Sequence, residues 1–365
     1  MNRTVYLNGK FTCQHTTGVQ RVAEQLVRAL DALAPQPGEP RWMLLHPPGG
    51  GLAGLGRIEQ RSVGPAGWPL HAWEQASLPR AARAGLLLNL SGSAPWFSGA
   101  TAAMLHDAAV FDHPEAYSAA FARWYRFLFA RLARRAERLF TVSSFSQGRL
   151  AACLGVAASR FQVLPNAADH LEAVVPDDRV LDRHGLRGRR FLLAVASANP
   201  TKNLAALVRA FAMLADPELL LVIVGGSNAQ VFAGAAVAPD PPGVVRTGPL
   251  DDAPLKALYR HALALAFPSL YEGFGLPALE AMTQGCAVAV SNAASLPEVC
   301  GDAALYFDPG SVPAIADALR RIVGDDALRT RLQLAGRRRA SEFSWAASAE
   351  RLRAAIDGVG TDAAR

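Results

Sequence analysis

Two glutamates eight positions apart, Glu272 and Glu280, enclose a Gly-x-Gly turn in the stretch SLYEGFGLPALEAM, residues 269–282. Gly273 and Gly275 let the backbone turn tightly and approach a ligand closely. Pro277 suits the first turn of a helix, where its missing N–H costs nothing. The amides from about Gly275 onward point out of that helix start, a place suited to phosphate. Glu280, one turn further in, reaches past such a phosphate to accept from hydroxyls, and Glu272 stands on its other side. A ligand with a central diphosphate and a hydroxyl-bearing ring at each end satisfies both acids, and a nucleotide-sugar has that shape. Taken singly, Glu280 reads as a residue that favours the helix dipole and Glu272 as a solvated loop acid.

Other residues could join this chemistry. Lys202, one of only three lysines in the chain, follows the apolar run FLLAVAS and precedes the helical pattern NLAALVRAF. An ammonium there would neutralise a departing nucleoside diphosphate. His106 and Asp107 end the apolar run AAML. A histidine at a strand end can orient hydroxyls or support proton transfer, and the plainer reading is a satisfied structural histidine with Asp107 as a cap. Gly18 opens the first long amphipathic segment, GVQRVAEQLVRALDAL, whose start offers amides to a ligand. No Asp-x-Asp occurs, so a metal-bridged diphosphate site lacks its usual ligands and no metal site is expected. A Walker Gly-Lys-Ser/Thr and a Gly-x-Ser-x-Gly elbow are also absent, which weakens NTPase and serine-hydrolase readings.

The elements that must position these groups are short β runs alternating with helical patterns. TVYLNG, RWMLLH, GLLLNLS, AAMLHDA, RLFTVS and FQVLP read as strands in the first half. FLLAVAS, LLLVIVGG, VVRTGP, LALAFPS, CAVAVSN and ALYFDP do so in the second. Most are continuously apolar, as parallel strands buried on both faces must be. The order predicts an α/β protein of two Rossmann-like, doubly wound domains facing across a cleft, with ligands outside the carboxyl ends of the strands. The domains are expected at 1–174 and 191–343, joined by a charged linker at 175–190. A final helical segment, 344–365, is expected to cross back onto the first domain.

On these residues the chain resembles the retaining glycosyltransferases of family 4, which have the GT-B fold. The likeness is carried by FPSLYEGFGLPALEAMTQGCAVAVSNAASLPEVCGDAALYFDP, extends over most of the chain and is weakest at 35–100. It implies that Glu272 contacts hydroxyls of a donor sugar and Glu280 the ribose. It also implies that the backbone of Gly273, Phe274, Gly275 and Leu276 lies along the sugar and diphosphate, and that His106 lies near the donor sugar. It implies departure of the leaving group on the face that the acceptor attacks. The family's usual arginine before Lys202 is missing, since Ser197, Asn199 and Thr201 stand there; Arg21 and Arg246 are the candidate replacements. Thr17 replaces the first glycine of a Gly-Gly, and VLPNAADH, a structural turn, carries Ala167 in place of a glycine.

The chain's 365 residues suit two ordinary domains, and its net charge is +6. That excess lies in residues 1–172, with 17 Lys and Arg against 11 Asp and Glu, while residues 173–365 hold 20 of each. Within the basic half, FARWYRFLFARLARRAERLF (121–140) holds six Arg against one Glu. Wound as a helix, it puts Phe121, Tyr125, Leu128, Leu132 and Leu139 on one face. The arginines, with Phe127 and Trp124, lie opposite and suit an anionic membrane surface; the alternative is a core stripe with solvated arginines. Nucleic acid is not expected as a partner. Four scattered cysteines and no signal-peptide run point to a reducing cytoplasm, at the inner face of the membrane.

The function expected is metal-independent, cofactor-free transfer of a hexose with retention, catalysed through His106, Lys202 and Glu272. The donor is expected to be GDP-mannose and the acceptor a saccharide or polyprenyl-linked saccharide in bacterial surface polysaccharide assembly. A UDP-hexose donor is the alternative. A nucleotide-sugar epimerase and a catalytically silent nucleotide-binding partner are the alternatives of another class.

Overall fold

In the computed structural model, residues 4–197, 199–225 and 240–357 are described. Their strands form two separate sheets, every pairing parallel. The first contains β1 (Thr4–Asn8), β2 (Arg41–His46), β3 (Glu59–Ser62), β4 (Leu86–Asn89), β5 (Thr101–Met104), β6 (Arg138–Thr141) and β7 (Phe161–Val163). The second contains β8 (Arg190–Val195), β9 (Leu219–Val224), β10 (Val244–Gly248), β11 (Ala264–Phe267), β12 (Ala287–Ser291) and β13 (Leu305–Phe307). Spatial orders are 3-2-1-4-5-6-7 and 10-9-8-11-12-13. Each sheet therefore winds out one way and restarts on the other side, with its reversal between β1 and β4 or between β8 and β11.

The continuously apolar runs predicted these strands because both their faces are covered. In the second sheet Leu192, Leu221, Ala266 and Ala289 share a core with Leu207 and Phe211 of the helix Leu204–Ala212. Ile315 and Leu319 of the helix Val312–Gly324 complete it. Burying each large side chain there contributes about 1.5–3 kcal/mol. β3 was not anticipated: its sequence, EQRS, is wholly exposed at the sheet edge and carries no apolar signal.

Two compact units hold these sheets. The first takes the residues up to Ala108, Arg123–Asn166 and those from Trp345 onward; the second takes Ala109–Ala122 and Ala167–Ser344. The stretch 175–190, expected as a linker, lies inside the second unit and contains the helix Arg179–Arg183. The helix Trp345–Asp357 belongs to the first unit, where it packs on the helix Gly18–Ala32. Arg353 donates to the Ala34 carbonyl (2.8 Å) and Ser348 to that of Pro165 (2.6 Å). Residues 358–365 of the expected C-terminal segment lie outside the described ones.

The helix expected over 121–140 needs correction. It runs Ala119–Arg135, and Arg138–Thr141 is β6. The Glu137 amide donates to the Thr101 carbonyl (2.7 Å), which starts pairing with β5 two residues after the helix ends. Leu139 is therefore a buried strand residue rather than part of a helical stripe.

Candidate active site

β8 and β11 flank the reversal point of the second sheet, and the loops leaving their carboxyl ends carry Lys202 and Glu272. Crevices at such points are where open α/β sheets bind ligands. The loop after β8 is bolted to the loop after β11. The Asn199 side chain accepts from the Thr201 amide (3.0 Å), shaping a turn over Pro200–Lys202. The Leu270 amide donates to the Thr201 carbonyl (2.7 Å), and Asn203 donates to the carbonyls of Pro268 (3.2 Å) and Pro309 (2.8 Å). Asn203 takes the left-handed conformation (φ 56°) that lets its amide face both.

That scaffold brings Lys202 Nζ to 2.6 Å from Glu272 Oε1. The side chains retain 22% and 10% of their exposure, so the pair is half-sunk yet open to solvent on the lysine side. Phe267 lies 5.8 Å below the ammonium, a second weak attraction for its charge. The backbone under Glu272 is fixed too: Ser295 donates to the Glu272 carbonyl (3.0 Å) and Ser291 to that of Ser269 (2.5 Å).

Gly275 precedes the helix Leu276–Thr283 with φ 98°, and a Cβ there would come within 2.5 Å of Leu296 Cδ2. Only glycine turns here without strain. Glu280 follows on that helix and is buried. Tyr259 Oη donates to its Oε2 (2.9 Å), and His170 Nε2 stands 3.7 Å from its Oε1. Both neighbours escaped the sequence reading. Tyr259 sits 21 residues before Glu280, and His170 lies in the VLPNAADH turn, taken there as structural. Lys202, Glu272, the Gly273–Leu276 turn and Glu280 all belong to the second unit. Arg246 is engaged elsewhere, on Asp240 (2.6 and 2.9 Å).

His106 and Gly18 lie in the first unit. His106 follows β5 and donates through Nε2 to the Leu90 carbonyl (2.8 Å). Burial lowers its pKa to about 4 despite that carbonyl, so at neutral pH the ring is uncharged and Nδ1 keeps its lone pair. Such a ring accepts from a hydroxyl; it does not serve as an acid. A Cβ on Gly92 would stand 3.6 Å from His106 Cδ2 and 3.9 Å from Val19 Cγ1, so Gly92 lies between the histidine and the helix that Gly18 opens. Gly18 faces open space, with nothing within 4 Å of where a Cβ would sit.

The sequence reading also missed a buried polar cluster at the reversal point of the first sheet. Lys10 Nζ meets Glu74 Oε2 at 2.7 Å, and Asn8 Nδ2 donates to Glu74 Oε1 (3.1 Å) and to Asn89 (2.9 Å). Ser93 donates to Glu74 Oε1 (2.6 Å). The signal was present as asparagines ending two apolar strands, with Lys10 and Ser93 just beyond them. None of the four cysteines is in a disulfide, and burial pushes the Cys286 and Cys300 thiols up to about 12, leaving them protonated.

Comparison with known proteins defines the class. Residues 179–339 match the family described as Glycosyl transferases group 1. The HepE protein of Anabaena, solved in complex with UDP-glucose, superposes with a TM-score of 0.71 at 17% identity, covering 96% of this chain and 98% of that one. The likeness establishes the GT-B fold. The match to the group 1 glycosyltransferases lies within the second unit. Among its relatives, the O-antigen chain mannosyltransferase B of Escherichia coli is 31% identical over 249 residues, 66% of this chain and 65% of that protein. The MMP alpha-(1->4)-mannosyltransferase of Mycolicibacterium hassiacum is 35% identical over 237 residues, 61% and 55% of the two. The chain thus spans less than two thirds of the length of either relative.

Proposed function

We propose that this protein transfers mannose from GDP-mannose, with retention, to a hydroxyl of a saccharide or polyprenyl-linked saccharide in surface polysaccharide assembly. The observation that carries the reading is the Lys202–Glu272 pair at the reversal point of the second sheet, beside the Gly275 turn and Glu280. The names of both relatives, each a mannosyltransferase, support the choice of sugar.

In this reading residues 191–343 hold the donor and residues 1–174 the acceptor side. Glu272 accepts from the sugar hydroxyls and Glu280 from the ribose. Lys202 turns from Glu272 toward the diphosphate and, with the Gly273–Leu276 amides, offsets the charge that grows as the bond from the anomeric carbon to phosphate oxygen breaks. The acceptor oxygen bonds to the same face of that carbon, and its proton passes to the departing phosphate. His106, neutral, accepts from a sugar hydroxyl through Nδ1. No step calls for a metal ion.

We place the protein at the inner face of the membrane through the helix Ala119–Arg135. Its exposed Trp124 and Phe127 gather with Trp96 and Phe97. Arg131 lies 4.7 Å over the Trp96 ring, so apolar and cationic groups share one surface. No helix among the described residues is long and apolar enough to cross a bilayer.

A UDP-hexose donor is the second reading, favoured by the UDP-glucose bound to the HepE neighbour. A thermal-shift series with GDP, UDP, dTDP and ADP, with and without EDTA, separates the two. A selective rise with GDP that EDTA leaves intact, followed by turnover of GDP-mannose with retained anomeric configuration, is expected. A selective rise with UDP moves the donor to a UDP-hexose. Binding without transfer to any acceptor indicates a silent partner, and an altered sugar nucleotide an epimerase.

A further inference from the structure

We infer that Tyr259 and His170 are positioning residues that make Glu280 select a ribose over a deoxyribose; this rests on the donor reading above. Glu280 receives a hydrogen bond at one oxygen and has a buried imidazole near the other, both from groups distant in sequence. Tyr259, wholly buried on the helix Asp252–His261, donates to Oε2 (2.9 Å). His170, its side chain 4% exposed, faces Oε1 at 3.7 Å. A carboxylate has about four lone-pair positions and, held on one side only, would rotate about its terminal torsion. Anchored at Oε2, the Glu280 carboxylate is held in a fixed plane, and the donor reading sets the ribose hydroxyls against that plane.

The difference from Glu272 sharpens the inference. Glu272 meets a flexible ammonium that a diphosphate can draw away. The phenol of Tyr259 is locked in the core, so it acts as a fixed support. A site built to pair buried hydrogen-bonding groups with a substrate hydroxyl rejects the analogue that lacks it, because those groups are left without partners.

The test measures dissociation constants of GDP and 2′-deoxy-GDP, and of UDP and 2′-deoxy-UDP, for the full chain and for Tyr259→Phe. Thermal melting of the variant checks its fold. The unaltered chain is expected to bind the ribonucleotide of its preferred base about tenfold or more tightly than the deoxy form. Tyr259→Phe should bring that ratio below about threefold while leaving deoxynucleotide affinity unchanged. Should Tyr259→Phe fail to fold, His170→Gln reads the same ratio and is expected to lower it. Equal losses for both nucleotides in the variant would mean that Tyr259 only supports the fold, which overturns the inference. Nucleotide binding by the unaltered chain with no preference for ribose overturns it too, but spares the donor reading. No binding of any nucleotide removes the donor reading itself, and the inference with it.

Discussion

Both sheets carry a lysine–glutamate pair in the loops and helices around their reversal points, yet the two pairs are opposites. Lys10 and Glu74 in the first sheet are 2% and 1% exposed and bind within a cluster that also takes in Asn8 and Ser93. Lys202 and Glu272 in the second are 22% and 10% exposed, and the lysine has one hydrogen bond and a distant ring. A buried pair stays put, because a partner that leaves exposes a bare charge to a low dielectric. A half-sunk pair can open, because water and an incoming phosphate replace what is lost. Topology brings polar groups to the carboxyl ends of the central strands, and burial then decides whether a pair is sealed in place or free to open.

The largest expected effect tests the sealed pair. Glu74→Ala should lower the unfolding free energy by about 3–5 kcal/mol in urea titration, since Lys10 keeps its charge without a counterion. A loss below about 1 kcal/mol would erase the contrast. His106, buried in the same unit, gives a second stability test. Its pKa is about 4 in the fold against an ordinary 6.5, so the unfolded chain takes up the proton first as pH falls. Stability from this group is full above pH 6.5 and drains as pH falls toward 4, by about 3 kcal/mol. Unfolding followed from pH 7 to 4 should be correspondingly less pH-dependent in His106→Gln; parallel curves would count against the burial argument.

The open pair should behave in the reverse manner. Lys202→Ala is expected to slow sugar transfer about a hundredfold, equivalent to about 2.7 kcal/mol, with stability changed by less than about 1 kcal/mol. Unchanged turnover would remove Lys202 from the chemistry. The smallest effect belongs to the turn between the two glutamates. Gly275→Ala should cost about 1–3 kcal/mol of stability, from the strained φ and the contact with Leu296, and should weaken nucleotide binding alongside it. Calorimetry of both quantities checks this, and a silent substitution would mean that the turn relaxes easily.

Legibility in the sequence followed range. All strands but β3 were readable, because continuous apolar runs and the punctuation between them are local features. Glu272, the glycine turn and Glu280 stood out as candidates for the same reason, since they lie within nine consecutive residues. Lys202 was readable as the cation after a strand. The end of the Ala119–Arg135 helix was not, because the following residues keep a helical look while β5 draws them into a ladder.

The sequence by itself determined which segments become buried parallel strands, and that one glycine-bearing turn presents acids and amides together. Tertiary structure decided which charges meet. Lys202 finds Glu272 across 70 residues, Lys10 finds Glu74 across 64, and Tyr259 and His170 converge on Glu280 from two separate segments. Side-chain types and short spacings carry propensity and local geometry. Pairing across such distances, and the burial that seals one ion pair and leaves the other half-open, arise only once the sheets are assembled.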